Sequence, residues 1–143
     1  MTKRMKTNSF YILLSIFVVS CTSNIESQIT DIQKNYKKRP LKSLNQLDKL
    51  YSKQKNENDK IEVLTEIEKV IKEKVRDPQL LKHVLEKKIF FSEDQEFKNQ
   101  NLLNLAQLSV QNLRDNNLAQ DYLFKIQEKL LDTEQRDQYF QLK

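Results

Sequence analysis

The sequence offers few side chains that could carry out chemistry. Its 143 residues include one cysteine, Cys21, and one histidine, His83. A thiol can act as a nucleophile, a metal ligand or half of a disulfide, and histidine is the side chain that titrates near neutral pH. With one residue of each type, an internal disulfide and a zinc site built on Cys and His are both excluded. We therefore expect no metal and no cofactor.

Paired carboxylates are the other feature that could suggest an enzyme. A glycosidase needs two carboxyl groups that face each other across a cleft. Glu62 and Glu66 lie close together on a predicted helix and are better explained as part of its solvated face. Glu93, Asp94 and Glu96 lie in a predicted first helical turn, where acidic groups interact favourably with the helix dipole. No serine or cysteine is placed beside a base, so we expect no catalytic residue and no small-molecule substrate. His83, at the edge of an apolar helix face, is interpreted as a boundary residue, with a proton shuttle or partner contact as the alternative.

Composition narrows the fold to helices. Glycine is absent and proline occurs twice. Tight β-hairpin turns and the glycine-rich loops that hold phosphates both depend on glycine. The sequence therefore predicts an all-α protein without a nucleotide-binding fold.

Charge is concentrated near the N-terminus. Residues 22–55 contain eight basic and three acidic side chains, whereas residues 56–143 contain 14 basic and 17 acidic ones. Nucleic acid is not an expected partner of an exported protein. A basic N-terminal third instead suits an anionic membrane surface, although a solvated helix face explains it equally. The candidate membrane-surface contacts are Lys34, Lys37, Lys38, Arg39 and Lys42.

The first 20 residues have the pattern of a cleaved signal peptide. Lys3, Arg4 and Lys6 precede an apolar stretch at residues 10–19. As a helix this stretch would extend about 15 Å, half of the hydrocarbon core of a bilayer, so it is too short to span a membrane. Its length is typical of the apolar region of a signal peptide.

The segment Val18-Val19-Ser20-Cys21 resembles the lipobox of bacterial lipoproteins. The resemblance implies cleavage before Cys21, acyl chains on its thiol and stable membrane anchoring. Thr22 lacks the acidic character that retains some lipoproteins in the inner membrane, so the outer membrane or cell surface is favoured. The composition and the loose lipobox are similar to small plasmid- or prophage-encoded lipoproteins of Borrelia-type spirochaetes.

Apolar residues recur at helical spacing through the rest of the chain. The first stripe comprises Ile25, Ile29, Ile32 and Tyr36, with Ser23 as expected N-cap, and Pro40 ends that helix. Later helices are expected to begin after the caps Asp77, Ser92 and Asn117, and the last long one to continue through Leu131. A short final turn is expected from Thr133.

These patterns predict about six short antiparallel helices that form a bundle or a short α-solenoid. Residues 1–20 are the signal peptide, 21–40 a lipidated basic amphipathic segment and 41–143 the helical domain. Residues 102–131 partly resemble one tetratricopeptide repeat through Ala106, Ala119, Leu123 and Ile126, but lack its large aromatic in the first helix.

Two functions from different classes remain at this point. The first is a non-enzymatic helical domain, anchored to a membrane, that binds a host or envelope protein. Its partner patch is expected among two groups of aromatic residues, with the core as the alternative place for either group. They are Phe90, Phe91 and Phe97 at one helix junction, and Tyr139 with Phe140 at the end of the chain. The alternative is a membrane-active accessory of a prophage-type lysis or holin (hemolysin-like) system, with residues 25–36 as a helix in the membrane interface.

Overall fold

The computed structural model of the protein describes residues 24–143. These residues form seven packed antiparallel α-helices without a β-strand, which confirms the predicted all-α class. The helices, numbered α1 to α7, are Ile25–Tyr36, Pro40–Lys53, Glu57–Val70, Pro78–Phe91, Gln95–Leu108, Asn116–Leu123 and Thr133–Leu142.

Several helix starts differ from the expected ones by one or two residues. Asn24 caps α1 by accepting from the Glu26 amide; Ser23, the expected cap, lies outside the described residues. Asp94 rather than Ser92 caps α5, and Asp115 rather than Asn117 caps α6. Ser92 instead accepts from the Asp94 amide. In both cases a carboxylate two residues away replaces a neutral cap, because it also interacts favourably with the helix dipole.

The helix expected to continue to Leu131 ends at Leu123, so that prediction was wrong. The side chain of Asn99 on α5 is 1% exposed. It donates to the Gln127 carbonyl (3.1 Å) and accepts from the Gln127 amide (3.2 Å). These bonds hold the chain after α6 in a non-helical path. The C-terminal turn expected from Thr133 is the full helix α7, which Asp132 caps in a capping box with Gln135.

The helices repeat every 38 residues. The helices α2, α4 and α6 begin at Pro40, Pro78 and Asn116. The helices α3, α5 and α7 begin at Glu57, Gln95 and Thr133. The domain is therefore built from successive helical hairpins, and α7 occupies the position in the repeat that α3 and α5 have. This period differs from the roughly 34 residues of a tetratricopeptide repeat.

The turns between paired helices repeat in detail. A five-residue π-helical segment, Ile71–Val75 after α3 and Ser109–Leu113 after α5, ends each first helix. Arg76 and Arg114 follow in the left-handed conformation, with φ of 57° and 55°. An aspartate cap, Asp77 or Asp115, then begins the next helix. Two turns with the same backbone, 38 residues apart, establish that the repeat is structural.

Packing follows chain order, and the core has two parts. One apolar cluster joins α1 to α4 and the other joins α4 to α7, with Leu81 of α4 packed against both. Ile29 and Tyr36 of α1 are buried in the first cluster. The boundary expected at residue 40, between the lipidated segment and the helical domain, thus separates α1 from α2, although both helices contribute to one core. Within residues 24–143, none of the helices has the length and apolar character needed to cross a membrane.

Candidate partner-binding surfaces

An open apolar groove lies between α2 and α4, with α3 as its floor. Its volume is about 260 Å³. Leu64 and Ile67 form the floor, and Val84 contributes from α4. The full lining is Leu44, Asn45, Asp48, Tyr51, Leu64, Ile67, Leu80, His83, Val84 and Lys87. A mostly apolar concavity with few polar groups is the usual form of a binding site.

Polar groups are confined to the rim of this groove. Asp48 and His83 are exposed there. The Lys87 ammonium lies 4.9 Å from the centroid of the Tyr51 ring. Burial, and to a smaller extent the Asp48 carboxylate, raises the pKa of Tyr51, so its hydroxyl stays protonated at neutral pH. The rim therefore combines an anion, a cation and a neutral phenol around an apolar floor.

The expected aromatic patch is not a single surface. Phe90 is 79% exposed and contacts Phe91 with ring centroids 5.0 Å apart. Phe91 is half-buried beside Tyr51. Phe97 is also half-buried, with the Lys88 ammonium 5.1 Å from its ring. These rings lie around the α4–α5 junction.

The C-terminal aromatics occupy a separate place on α7. Tyr139 is buried and donates its hydroxyl to Glu128 at 2.6 Å. Phe140 is 59% exposed, with its ring 5.4 Å from that of Tyr139. Of the five expected patch residues, only Phe90 and Phe140 are exposed.

The candidate membrane-surface cations cluster at one end of the domain. All five are exposed, at the end of α1, in the following turn and at the start of α2: Lys34, Lys37, Lys38, Arg39 and Lys42. Lys34 pairs with Asp31 at 2.7 Å. Because α1 has 12 residues, this end is about 18 Å from the start of the helix, which is the end nearer to Cys21.

The two groups of paired carboxylates lie on α3 and at the start of α5. Glu62 and Glu66 are half-buried against α1, where Gln33 donates to Glu66 at 2.7 Å. Burial first, then the nearby carboxylates of Glu26, Asp59 and Glu66, raises the pKa of Glu62. Asp94 is used as a helix cap. Among residues 24–143 no group of three or more Cys, His, Asp or Glu side chains could hold a metal ion.

The groove was not found by reading each helix separately. Its floor residues Leu64 and Ile67 lie on the apolar face expected for that helix, where the sequence indicates only a core position. The lipobox residues Val18, Val19, Ser20 and Cys21 lie outside the described residues. Comparisons of the chain with protein-family models, curated proteins and solved structures give no match.

Proposed function

We propose that the protein is a membrane-anchored bacterial lipoprotein whose helical domain binds another protein without catalysing a reaction. The observation that carries the proposal is the apolar groove between α2 and α4, which is open to solvent while the neighbouring core is closely packed. An apolar concavity that the folded chain leaves unfilled is typical of a surface that a partner covers.

The anchor position supports a partner in or near the envelope. Three residues separate Cys21 from the start of α1 at Ile25. Even fully extended, three residues span only about 11 Å. A lipid on Cys21 would thus hold the domain close to the headgroups, on the outer membrane or cell surface by preference.

Site-specific photo-cross-linking in intact cells tests the binding function. A photoreactive residue replaces His83 on the groove rim, and in a matched control it replaces Asp137, which is exposed on α7. We expect a discrete adduct from the His83 position that the Asp137 position does not give. The same adducts from both positions, or none from either, would remove the support for a binding groove.

Anchoring is tested separately through Cys21. In Cys21→Ala the acyl attachment point is lost, so the protein is expected to leave the membrane fraction and to incorporate no acyl label. A Cys21→Ala variant that stays in the membrane fraction would show that the first 20 residues, rather than a lipid, hold the chain. Protease treatment of intact and of disrupted cells then locates the domain. Digestion in intact cells indicates a host partner, and protection until disruption indicates an envelope partner.

The membrane-active alternative requires a rearrangement of α1. To insert among acyl chains, the stripe of this helix would have to leave the core, where Ile29 and Tyr36 are buried. The hydroxyl of Tyr36 also donates to Glu73 at 2.8 Å. We therefore place this function second. Leakage of anionic liposomes on addition of the lipidated protein would favour the membrane-active function over protein binding.

A further inference from the structure

The 38-residue repeat provides a second copy of the groove for comparison. The helices α3 and α5 correspond residue by residue with that offset, and α4 and α6 do so as far as Leu85 and Leu123, where α6 ends. The floor residues Leu64 and Ile67 correspond to Leu102 and Leu105, which are buried in the second cluster. The two sites therefore share an apolar floor and differ in what lies above it.

In the second site, a tyrosine side chain of the protein fills the space between α4 and α6. Tyr122 on α6 is buried and donates its hydroxyl to the Glu86 carboxylate on α4 at 2.7 Å. The Lys125 ammonium lies 5.5 Å from the centroid of the Tyr122 ring. A phenol thus bridges α6 to α4 between a carboxylate and an ammonium.

In the first site α4 supplies no such side chain. Val84 stands where the second site has Tyr122, and its side chain is too short to reach across to α2. Asp48 on α2 corresponds to Glu86 on α4, so a carboxylate is retained on the rim. The phenol on this rim is that of Tyr51 from α2, which the Lys87 ammonium contacts, and the space beside it above the floor is open.

We propose that the groove binds the side chain of a tyrosine from a partner polypeptide. The ring lies on Leu64 and Ile67 in the space that Val84 leaves open, and the hydroxyl donates to the Asp48 carboxylate. The proposal rests on the protein-binding function proposed above and names the chemistry that the partner presents.

The size of the groove agrees with this occupant. An apolar cavity of about 150 Å³ is enough to bind benzene. The groove has about 260 Å³, which leaves room for a hydroxyl and for the link to a peptide backbone. The tyrosine–carboxylate bond is also one that this fold forms repeatedly between its own elements, since Tyr36 donates to Glu73 and Tyr139 to Glu128.

A second folded copy of the chain does not supply the ring. Tyr36, Tyr122 and Tyr139 are buried and donate their hydroxyls to glutamates within the domain. Tyr51 lines the groove itself. Within residues 24–143 no tyrosine is left exposed to enter the groove of another copy. The tyrosine therefore comes from a different polypeptide.

The test uses N-acetyl-3-fluorotyrosinamide as the probe, with fluorine-detected NMR on the full chain in lipid nanodiscs. We expect saturable broadening with the wild type. Val84→Tyr, which copies the second site, fills the groove from within and should abolish the effect. Since a hydrogen bond to a charged group is lost, Asp48→Ala should weaken binding about tenfold or more, whereas Asp137→Ala should leave it unchanged.

Three results would overturn the assignment. One is equal broadening of N-acetyl-3-fluorophenylalaninamide, because the hydroxyl would then play no part. The second is no saturable binding by the wild type, and the third is equal binding by Val84→Tyr when that variant unfolds cooperatively. A cross-linked partner at His83 without probe binding would refute the tyrosine and leave the proposed function standing. Probe binding without a cross-linked partner would support the tyrosine site and remove the support for protein binding in cells.

Discussion

The ammonium of Lys88 on α4 lies 2.6 Å from the Glu68 carboxylate on α3, and both residues are at most 9% exposed. Lys72 pairs with the other oxygen of Glu68, also at 2.6 Å. The Lys88 ammonium is 5.1 Å from the centroid of the Phe97 ring on α5. One buried cation therefore contacts side chains of two neighbouring helices. At the same 38-residue offset the next hairpin has two buried apolar residues, Ala106 on α5 and Ile126 after the end of α6.

We predict that Glu68→Ala lowers the free energy of unfolding by about 3–5 kcal/mol, because Lys88 is left buried without an anion. Lys88→Ile should cost less, since Glu68 keeps Lys72 as a partner. The double variant replaces both buried charges by apolar side chains and should be as stable as the wild type or more so. Urea unfolding followed by circular dichroism measures all three. Additive losses in the double variant would contradict this account.

Stability should also fall in acid through Glu68. Burial alone would raise the pKa of this carboxyl, but hydrogen bonds from Lys72 and Lys88 outweigh it and hold the pKa below the ordinary 4.5. Its contribution is therefore complete above pH 4.5 and is lost as the pH falls through the lower pKa of the folded state. Unfolding measured from pH 7 to pH 3 should show a steeper loss in the wild type than in Glu68→Ala/Lys88→Ile.

The exposed carboxyl of Glu128 provides an internal control for that measurement. A hydrogen bond from Tyr139, ahead of the Lys143 charge, lowers its pKa, and neither partner is changed in the double variant. Its contribution to the loss of stability in acid is therefore the same in the wild type and in the double variant. Parallel pH profiles would mean that Glu68 does not contribute to the acid loss.

The repeated turns predict a gain in stability. Arg76 and Arg114 adopt the left-handed conformation, which costs a residue with a side chain about 1–2 kcal/mol and glycine nothing. After allowing for the greater freedom of glycine in the unfolded chain, Arg76→Gly and Arg114→Gly should each stabilise the domain by about 0.5–1 kcal/mol. Thermal unfolding of both single variants measures the effect. Arg76→Ala is the control, and an equal gain from alanine would point to the lost charge instead of the backbone.

Local sequence patterns predicted the helices well because most signals of a helix lie within the helix itself. The apolar stripe from Ile25 to Tyr36 and the cap-proline pair Asp77-Pro78 both predicted elements that the structure contains. Ser92 and Asp94 lie two residues apart and both residue types are favourable helix caps, so the sequence did not identify which of them begins α5. The 38-residue period was visible in the spacing of Pro40 and Pro78, but only when helix starts are compared across the chain.

Contacts between helices were beyond the reach of such patterns. Glu68 and Lys88 lie 20 residues apart and each looks like a surface charge on its own helix. Whether they meet depends on how α3 and α4 are rotated about their axes, which an individual stripe defines only to within a broad face. The groove depends on the difference between Val84 and Tyr122, which has meaning only after the two hairpins are aligned.

The buried amide of Asn99 gives the last prediction. Its side chain satisfies both backbone groups of Gln127, at 3.1 and 3.2 Å, in the loop after α6. Asn99→Ala should leave the Gln127 amide without its acceptor, while the Gln127 carbonyl keeps the Leu130 amide at 3.0 Å, and should lower the free energy of unfolding by about 1–3 kcal/mol. Asn99→Asp keeps an acceptor for the Gln127 amide, but it loses the donor and buries a charge, so it should cost at least as much. Hydrogen exchange of the Gln127 amide distinguishes the two, because only Asn99→Ala removes its acceptor. Unchanged exchange in Asn99→Ala would mean that the loop is held by other contacts.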